Sequence, residues 1–452
     1  MMRPLLSSLV FACAAGGFAA APVISLKTFS PDAAARQAVI TYTLTGANAI
    51  VTMDVLTNGV SIGARHCRAV WGDVNREIAA DEEVVRTLHW SYAAGFDGMK
   101  VTDRTLSVKL TAHPLSDPPR YVAICAAEPA TPKYYYTSED ALPEDVTASR
   151  WKTDWILMRR IDAAGVPWRM GSPGYEAGRE VTDASPRLVT LSEDYYIGVY
   201  PVTQRQWALL YTALAVGGAS AAPSVWKGWP DSDLRPVESL SWANLRGDGG
   251  NMPSGTGTVA SDFDVTDKPY HWPTKGHAVD PACFLGKMRA RFNLAFDLPT
   301  EAQWEYACRA GSGGATYDAQ ADLDELAWTS GNSAVVEGDE AVCQTHPVGL
   351  KKPNAFGLYD MLGNVQEWVL DFMPKRESSV FYNGNEPLLD PAGVSVRSDT
   401  LDTRLYRMRK GGSFQDDASS CRSAARNQPH WSQNANNQIA GFRLCAPIGP
   451  IE

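Results

Sequence analysis

The segment GGSFQDDASSC, residues 411–421, gathers more reactive side chains than any other short stretch of the sequence. It brings hydroxyls, two carboxylates and the thiol of Cys421 into eleven positions. The thiol has three candidate roles: a nucleophile, one half of a disulfide, or a small apolar side chain in a core. Asp416 and Asp417 would point to opposite sides of an extended chain, so joint acid–base work by the pair is not expected.

Composition narrows the class of protein before any motif is used. The chain has 452 residues, of which 44% are hydrophobic and 20% charged, which is typical of a soluble protein with two or three domains. The net charge is −10 and no basic run stands out, so nucleic acid is not an expected partner. The abundance of aromatic residues, with 37 Gly and 29 Pro, favours a loop-rich fold over a helical bundle.

The N-terminus has the pattern of an export signal. Arg3 is followed by the apolar stretch PLLSSLVFACAAGGFAA, and the Ala19–Ala21 run fits signal-peptidase cleavage. We therefore predict a signal peptide over residues 1–21 and an exported protein, periplasmic or secreted, with no transmembrane segment in the mature chain. A lipoprotein anchored through Cys13 is the alternative.

Seven cysteines follow this signal, at positions 67, 125, 283, 308, 343, 421 and 445. Export favours disulfides, and the odd number leaves at least one thiol unpaired. The sequence has no CxxC or HExxH motif, so a zinc ribbon, a thioredoxin-like site and a catalytic zinc lack support.

Residues 22–128 read as a small all-β sandwich of the immunoglobulin or fibronectin kind. Short alternating runs surround the turn signal Asn58-Gly59, and PRYVAIC is predicted as the closing strand. Cys67 and Cys125 either bridge this domain or are buried as free thiols. Residues 129–150, rich in Pro, Ser, Thr and acidic residues, are predicted to be a linker. The domain has no catalytic grouping and is predicted to be a spacer or docking module.

Residues 151–452 form the second predicted domain, an α+β unit dominated by loops. Three helices are predicted from their starts: QRQWALLYTAL after Thr203, ACFLGKMRARF after Asp280-Pro281, and EAQWEYACRAG after Thr300. Thr203 and Thr300 are each followed by a Gln at the third position, which completes a capping box. Loops of the length that separates these helices are usually functional or pinned by metals and disulfides.

Several sequence blocks follow one another between residues 155 and 446: WRMGSPGYEAGRE, PVTQRQW, RPVESLSW, LPTEAQWEYACRAG, GLYDMLGNVQEW, RKGGSF, AARN and GFRL. In this order they resemble the formylglycine-generating enzyme family, also called the sulfatase-modifying factor family. The resemblance implies a C-type-lectin-like, loop-rich α+β fold for this part of the chain.

The block GLYDMLGNVQEW places two carboxylates around a glycine-containing turn. Carboxylate and carbonyl oxygens are the ligands of Ca²⁺, and the resemblance implies a structural calcium in this loop. Its ligands would be the side chains of Asp360 and Glu367 and the carbonyls of Gly363 and Val365. The alternative is a turn cap at Asp360 and an ordinary hydrogen bond at Glu367.

The oxidases of the family bind copper(I) through two thiolates that follow the GGS motif, because soft ligands suit this ion. By this resemblance Asp416 stands where the first thiolate is expected, and Cys421 falls outside the pair. Copper is therefore not expected here.

The family also implies disulfides, and we carry them over as Cys308 with Cys421 and Cys283 with Cys445. Cys421 lies two residues before the family position, which is occupied by Ser423. Each disulfide would contribute about 2–4 kcal/mol. Buried free thiols are the alternative.

The resemblance further implies a groove for a substrate peptide after the GGS and AAR motifs. Its predicted lining is Ser413, Asp416, Asp417, Arg426, His430 and Trp431. Arg426 is predicted either to line this groove or to form an ion pair with one of the two aspartates, and Trp431 to be a stacking platform or a core residue.

The function predicted from these features is an exported family member without oxidase activity, which binds a peptide, a glycan or a partner protein. The alternative is a formylglycine-generating oxidase that converts a sulfatase cysteine to formylglycine. A third alternative is different chemistry in the same groove, so whether the protein is an enzyme stays open.

Overall fold

The computed structural model describes residues 20–93, 106–127, 133–180, 183–217, 219–247, 279–372, 387–391, 407–427 and 437–449. Almost all of the predicted signal peptide, including Cys13, lies outside these residues, as do His430 and Trp431. Within the described ranges, no helix combines the length and apolar character needed to cross a membrane.

The strands, in chain order, are β1 Val23–Asp32, β2 Gln37–Thr45, β3 Ala49–Thr57, β4 Val60–Ser61, β5 Val70–Gly72, β6 Arg76–Ile78, β7 Asp81–Ser91, β8 Leu106–Pro114, β9 Tyr121–Cys125, β10 Lys133–Tyr136, β11 Trp155–Ile161, β12 Pro167–Met170, β13 Arg187–Thr190, β14 Tyr195–Gly198, β15 Ala334–Glu337, β16 Glu340–Cys343, β17 Gln366–Phe372, β18 Leu388–Leu389, β19 Arg407–Lys410, β20 Ala440–Gly441 and β21 Cys445–Pro447. The helices are α1 Gln204–Leu214, α2 Trp242–Arg246, α3 Phe284–Phe292, α4 Glu301–Arg309 and α5 Leu323–Leu326.

The N-terminal part consists of two antiparallel sheets that share one hydrophobic core. One sheet has the order β1-β2-β7-β5; the other has the order β4-β3-β6, with β8 also paired to β3. Alternation explains the shared core, because every second residue of β2 is buried, including Ile40 and Tyr42. Trp90 from β7 and Val51 from β3 enter the same core.

The predicted closing strand of this part is wrong. The PRYVAIC run forms β9, which pairs with β10 and β11 in a five-stranded sheet of order β10-β9-β11-β14-β21. Cys125 therefore lies in a different sheet from the core that holds Cys67. The predicted linker is wrong as well, since it contains β10 and buries Leu142 and Val146. A local run of residues indicates a strand but not its partners, so the sequence alone did not place β9 in this sheet.

Two of the three predicted helix starts are confirmed. Thr203 and Thr300 cap α1 and α4 through complete capping boxes. The third start is wrong: α3 begins after Cys283, whose sulfur accepts a hydrogen bond from the Gly286 N–H at 3.3 Å. Asp280 instead accepts a bond from the backbone of residue 282, which makes a turn before the helix.

Strand β17 occupies the centre of a three-stranded sheet of order β19-β17-β20. It begins at Gln366, directly after the turn of the GLYDMLGN block. Its neighbour β19 ends at Lys410 and leads into the GGS segment. Trp304 of α4 packs against this sheet and donates its indole N–H to Glu367 of β17. The helix and the sheet therefore position the GGS segment together.

Gly363 shows how tightly this turn is packed. Its φ is +72°, and a Cβ at this position would lie 2.6 Å from the Trp328 backbone nitrogen and overlap the Trp328 carbonyl. Glycine is therefore required here for two reasons, backbone conformation and space.

We expect Gly363→Ala to destabilise the protein more than Gly165→Ala does. The two glycines have nearly equal φ, +72° and +71°, so each substitution costs about 1–2 kcal/mol of backbone strain. Only at Gly363 does the new methyl group also collide with backbone, since nothing lies within 4 Å of the equivalent position at Gly165. Urea unfolding followed by tryptophan fluorescence measures both losses; equal losses would contradict the packing argument.

Candidate functional site

The GGS segment is compact because its two glycines allow close approach. Gly411 and Gly412 have φ of +94° and +73°, and a Cβ on Gly412 would overlap the sulfur of Cys421. The Cys421 side chain has no exposed surface. Of its three candidate roles, the structure therefore favours the core side chain, packed against the start of its own loop.

Three polar side chains meet on the segment and form what we call the polar cluster: Ser413, Asp416 and Gln366. The Ser413 hydroxyl donates to Asp416 Oδ2 at 2.6 Å, and the Gln366 amide nitrogen donates to the same oxygen at 2.7 Å. The Ser330 N–H donates to the Asp416 carbonyl at 2.9 Å. Gln366 was missed from the sequence, because it lies 50 positions from Asp416 and only the tertiary structure brings the two side chains together.

Gln366 carries an unsatisfied polar atom. The residue is 3% exposed, and its side-chain carbonyl oxygen is buried without a hydrogen-bond partner. Its amide nitrogen must face the Asp416 carboxylate, since the opposite orientation would set two acceptors against each other. Buried acceptors nearly always receive a hydrogen bond in folded proteins, so the Gln366 side-chain oxygen is an exception.

The predicted groove lining is corrected at two positions. Ser413 is completely buried, and Arg426 is only 5% exposed. Arg426 does form an ion pair, but its partner is Glu301, with two bonds of 2.7 Å, rather than Asp416 or Asp417. Of the described residues that were predicted to line the groove, Asp416 is partly exposed and Asp417 exposed.

Buried charges link α4 to both ends of the GGS segment. Lys410, the residue before Gly411, lies 3.5 Å from Glu301 and 3.4 Å from Glu305, and Arg426 closes the other end on Glu301. Burial alone would raise the pKa of Glu301, but Arg426 and Lys410 outweigh it and lower that pKa. The carboxylate is therefore ionised and holds the two cations together. Glu301, Glu305, Lys410 and Arg426 together form the α4 ion network.

Asp371 extends this network at the start of α4. Its Oδ2 accepts the Glu301 N–H at 2.6 Å, which is a favourable place for an acceptor at a helix N-terminus. Burial, reinforced by the neighbouring Glu301 carboxylate, raises the pKa of Asp371 to about 7.

The predicted calcium ligands do not fit the contacts of this loop. Both oxygens of Glu367 accept bonds from the Arg443 guanidinium, at 2.8–3.1 Å, and Oε2 also accepts the Trp304 indole N–H at 2.7 Å. A divalent cation on Glu367 would face this buried guanidinium. Asp360 accepts the Gly349 N–H at 2.6 Å.

Neither predicted disulfide is present. Cys308 lies in hydrogen-bond contact with the Ser423 hydroxyl, 3.5 Å away, and not with the thiol of Cys421. Cys421, which lies two residues before the family position, therefore does not pair with Cys308. Ser423, which occupies the family position, lies next to Cys308 instead. Cys283 and Cys445 are free thiols in separate core clusters, and Cys445 contacts Gln303 at 3.8 Å.

The fold and the site together define an α+β protein in which a GGS loop is held on a capped helix by buried ions. Comparisons with known proteins give the family. The family model described as "Sulfatase-modifying factor enzyme 1-like domain" matches residues 164–448, which is more than half of the chain. The chain therefore belongs to the sulfatase-modifying factor family.

Relatives within this family carry different names. Chaperone protein LppX of Paenibacillus barcinonensis is 34% identical over 213 residues, which are 43% of this chain and 68% of that protein. The formylglycine-generating enzyme of Thermomonospora curvata is 30% identical over 322 residues, 64% of this chain and 94% of the enzyme. Among solved structures, Treponema denticola variable protein 1 is 26% identical, with 65% of this chain and 95% of that chain covered and a TM-score of 0.43.

Ser423→Cys is expected to create the disulfide that the wild-type structure does not have. The new thiol would replace a hydroxyl that already touches Cys308, and the bond should stabilise the oxidised protein by about 2–4 kcal/mol. Thiol labelling with and without reductant, combined with denaturant unfolding, checks both effects. Ser419→Cys, on the surface of the same loop, is the control. The position of Ser423 opposite Cys308 would be contradicted by a disulfide between Cys308 and residue 419, or by the absence of a disulfide in Ser423→Cys.

Asp371 should make the stability depend on pH. Its pKa rises from 3.8 to about 7 on folding, so the folded protein holds this proton more tightly than the unfolded chain. The free energy of unfolding should therefore fall as the pH rises from about 4 to about 7, by at most about 1.4 kcal/mol per unit. Asp371→Asn should flatten this slope, whereas exposed Asp233→Asn should not. Unfolding measured across this pH range tests it, and an unchanged slope in Asp371→Asn would show that another group is responsible.

Proposed function

We propose that this protein is an exported, non-oxidising member of its family that binds a polypeptide partner through the surface around the GGS segment. The observation that carries the proposal is the polar cluster. The position aligned with the first copper thiolate is occupied by Asp416, which is committed to hydrogen bonds with Ser413 and Gln366. A carboxylate held in this way is a hard oxygen ligand and does not suit copper(I).

Cys421 does not replace the missing thiolate. Burial, followed by the nearby charges of Asp416 and Asp417, raises the pKa of its thiol well above the ordinary value. Copper binding and nucleophilic attack both need the thiolate, and they need access that a fully buried side chain does not have. Cys421 is therefore assigned a packing role.

A binding role is supported by what the segment presents to solvent. Gln415, Asp417 and Ala418 are exposed, while the α4 ion network holds both ends of their loop. A recognition loop on a rigid support is a common design for binding surfaces. The Paenibacillus relative is named a chaperone, which favours a polypeptide over a glycan as the ligand.

The remaining parts of the proposal concern the scaffold. We propose a C-type-lectin-like arrangement for the second part of the chain and a sandwich for the two N-terminal sheets, with the latter as a spacer or docking module. Export rests on the N-terminal signal pattern of residues 1–21, with anchoring through Cys13 as the alternative. Copper is not part of the proposal, and neither is calcium.

We expect the purified protein to leave a Cys-x-Pro-x-Arg peptide unchanged when copper(I) and oxygen are supplied. The alternative function, a formylglycine-generating oxidase, would convert the peptide cysteine to an aldehyde. Mass spectrometry of the peptide and aldehyde trapping measure the product, and the Thermomonospora curvata enzyme serves as the positive control. Aldehyde formation by the purified protein would establish the oxidase instead of the binding protein.

A further inference from the structure

The N-terminal sheet β1-β2-β7-β5 presents one side to solvent, far from the GGS segment in sequence. Its strands bury every second residue, so the residues between them point away from the core. Two ladders of paired residues cross this side, and we call them the outer face. The first ladder crosses four strands and the second three, and their members are Ser30, Val39, His89 and Trp71, then Thr28, Thr41 and Thr87.

Trp71 is the aromatic end of the first ladder, on the edge strand β5. It is 46% exposed, whereas the other tryptophans within the described ranges are buried or partly buried. Its ring lies parallel to that of His89, with 10° between the planes and 5.4 Å between the centroids. The neighbouring ring holds the indole in place, so a large apolar surface is presented to solvent in a fixed orientation.

The rest of the outer face is rich in hydroxyl groups and has almost no charge. The hydroxyls of Thr28 and Thr41 bond to each other at 2.7 Å. Each hydroxyl offers one donor and two acceptor lone pairs, so this pair keeps unused capacity on its solvent side. Apart from His89, none of the seven side chains can carry a charge, in a chain of which 20% of the residues are charged. An uncharged ligand is the electrostatic complement of such a surface.

The size of the outer face limits what can cover it. No register shift interrupts β1 and β2 between Thr28 and Asp32, or β2 and β7 between Gln37 and Tyr42. With strands about 4.8 Å apart and outward residues about 6.8 Å apart, the two ladders cover roughly 260 Å². A stable protein interface needs about 800 Å² on each partner. The outer face is therefore too small to hold a second copy of the chain or a folded protein.

The ligand that suits this surface is uncharged, has an apolar side for the indole, and carries groups that both donate and accept hydrogen bonds. Sugar rings have these properties, because C–H groups line their faces and hydroxyls surround their rims. An extended peptide fits less well, since its backbone N–H and C=O groups each need a partner and the middle of a sheet offers only side chains. An anionic membrane is disfavoured by the net charge of −10.

We propose that the outer face binds an uncharged polysaccharide, with one sugar ring against the indole of Trp71 and neighbouring sugars along the ladders. The N-terminal part then acts as a docking module for a glycan. This site is separate from the GGS segment, and the inference does not depend on the function proposed for that segment. Because no charged pair takes part, the affinity should not fall at high salt.

The test uses the full chain in native gels that contain a soluble neutral polysaccharide: a mixed-linkage β-glucan, a galactomannan or an arabinoxylan. Alginate, which is anionic, is the ligand control. We expect slower migration with at least one neutral polysaccharide and none with alginate. Unchanged migration in all three neutral gels, or equal retardation by alginate, would overturn the inference.

Calorimetric titration with the polysaccharide that binds measures the affinity, at about 0.1 M and about 1 M salt, and should give the same value at both. Trp71→Leu keeps an apolar side chain but removes the aromatic face, and should weaken binding about 10-fold. Trp71→Tyr keeps an aromatic ring and should lose less. Tyr175→Ala removes an aromatic side chain that is 92% exposed elsewhere and should leave the affinity unchanged.

Thermal unfolding of each variant separates lost binding from lost folding. Thr41→Val removes a hydroxyl at nearly constant shape and provides a second test within the sheet; it should weaken binding a few-fold. Equal losses in Trp71→Leu and Trp71→Tyr, or wild-type affinity in Trp71→Leu, would contradict stacking. A dimer in light scattering that Trp71→Leu dissociates would assign the outer face to a second copy instead. Aldehyde formation on a cysteine peptide would overturn only the function proposed for the GGS segment.

Discussion

One buried carboxylate, that of Glu301, organises the second part of this protein. Lys410 and Arg426 both bind it, and these residues stand immediately before and shortly after the GGS segment. The loop between them is therefore closed by a shared ionic contact inside the protein, on the first turn of a capped helix. Removal of one partner from a buried ion pair typically costs about 3–5 kcal/mol, because the other charge is left uncompensated. The shape of the loop depends on this contact more than on any hydrogen bond within it.

The closed loop separates two kinds of side chain. Cys421 turns inward and packs against Gly412, where it has neither the exposure nor the acidity of a reactive thiol. Asp416 is partly exposed and joins the polar cluster, whereas Asp417 is exposed at the surface. The segment that looked catalytic by composition is thus a rigid support that presents acceptors to solvent. Its proposed role in recognition follows from this division.

Predictions from the sequence succeeded where the physics is local. The capping boxes at Thr203 and Thr300 were predicted because a cap and its partner lie three residues apart. The box formed by Ser241 and Asn244 at the start of α2 was missed, because its third residue is Asn rather than the Glu or Gln of the usual pattern. The Asp280-Pro281 pair led to a predicted start of α3 that lies too early in the sequence, because the sulfur of Cys283 is the actual cap. The PRYVAIC run was predicted correctly to be a strand, β9, but its sequence did not reveal its partners.

The sequence by itself determined the order of the family motifs, the capped helices and the identity of residue 416 as aspartate, because these depend on neighbouring residues. Only the tertiary structure decided which charges meet. Arg426 pairs with Glu301 across 125 positions of sequence, and Arg443 with Glu367 across 76. Such pairs depend on distances of a few ångströms in a medium that screens weakly, and nothing in the local sequence encodes those distances. The same reason explains why Cys308 faces Ser423: a shift of two residues moves a side chain to a new neighbour, and packing alone selects which one.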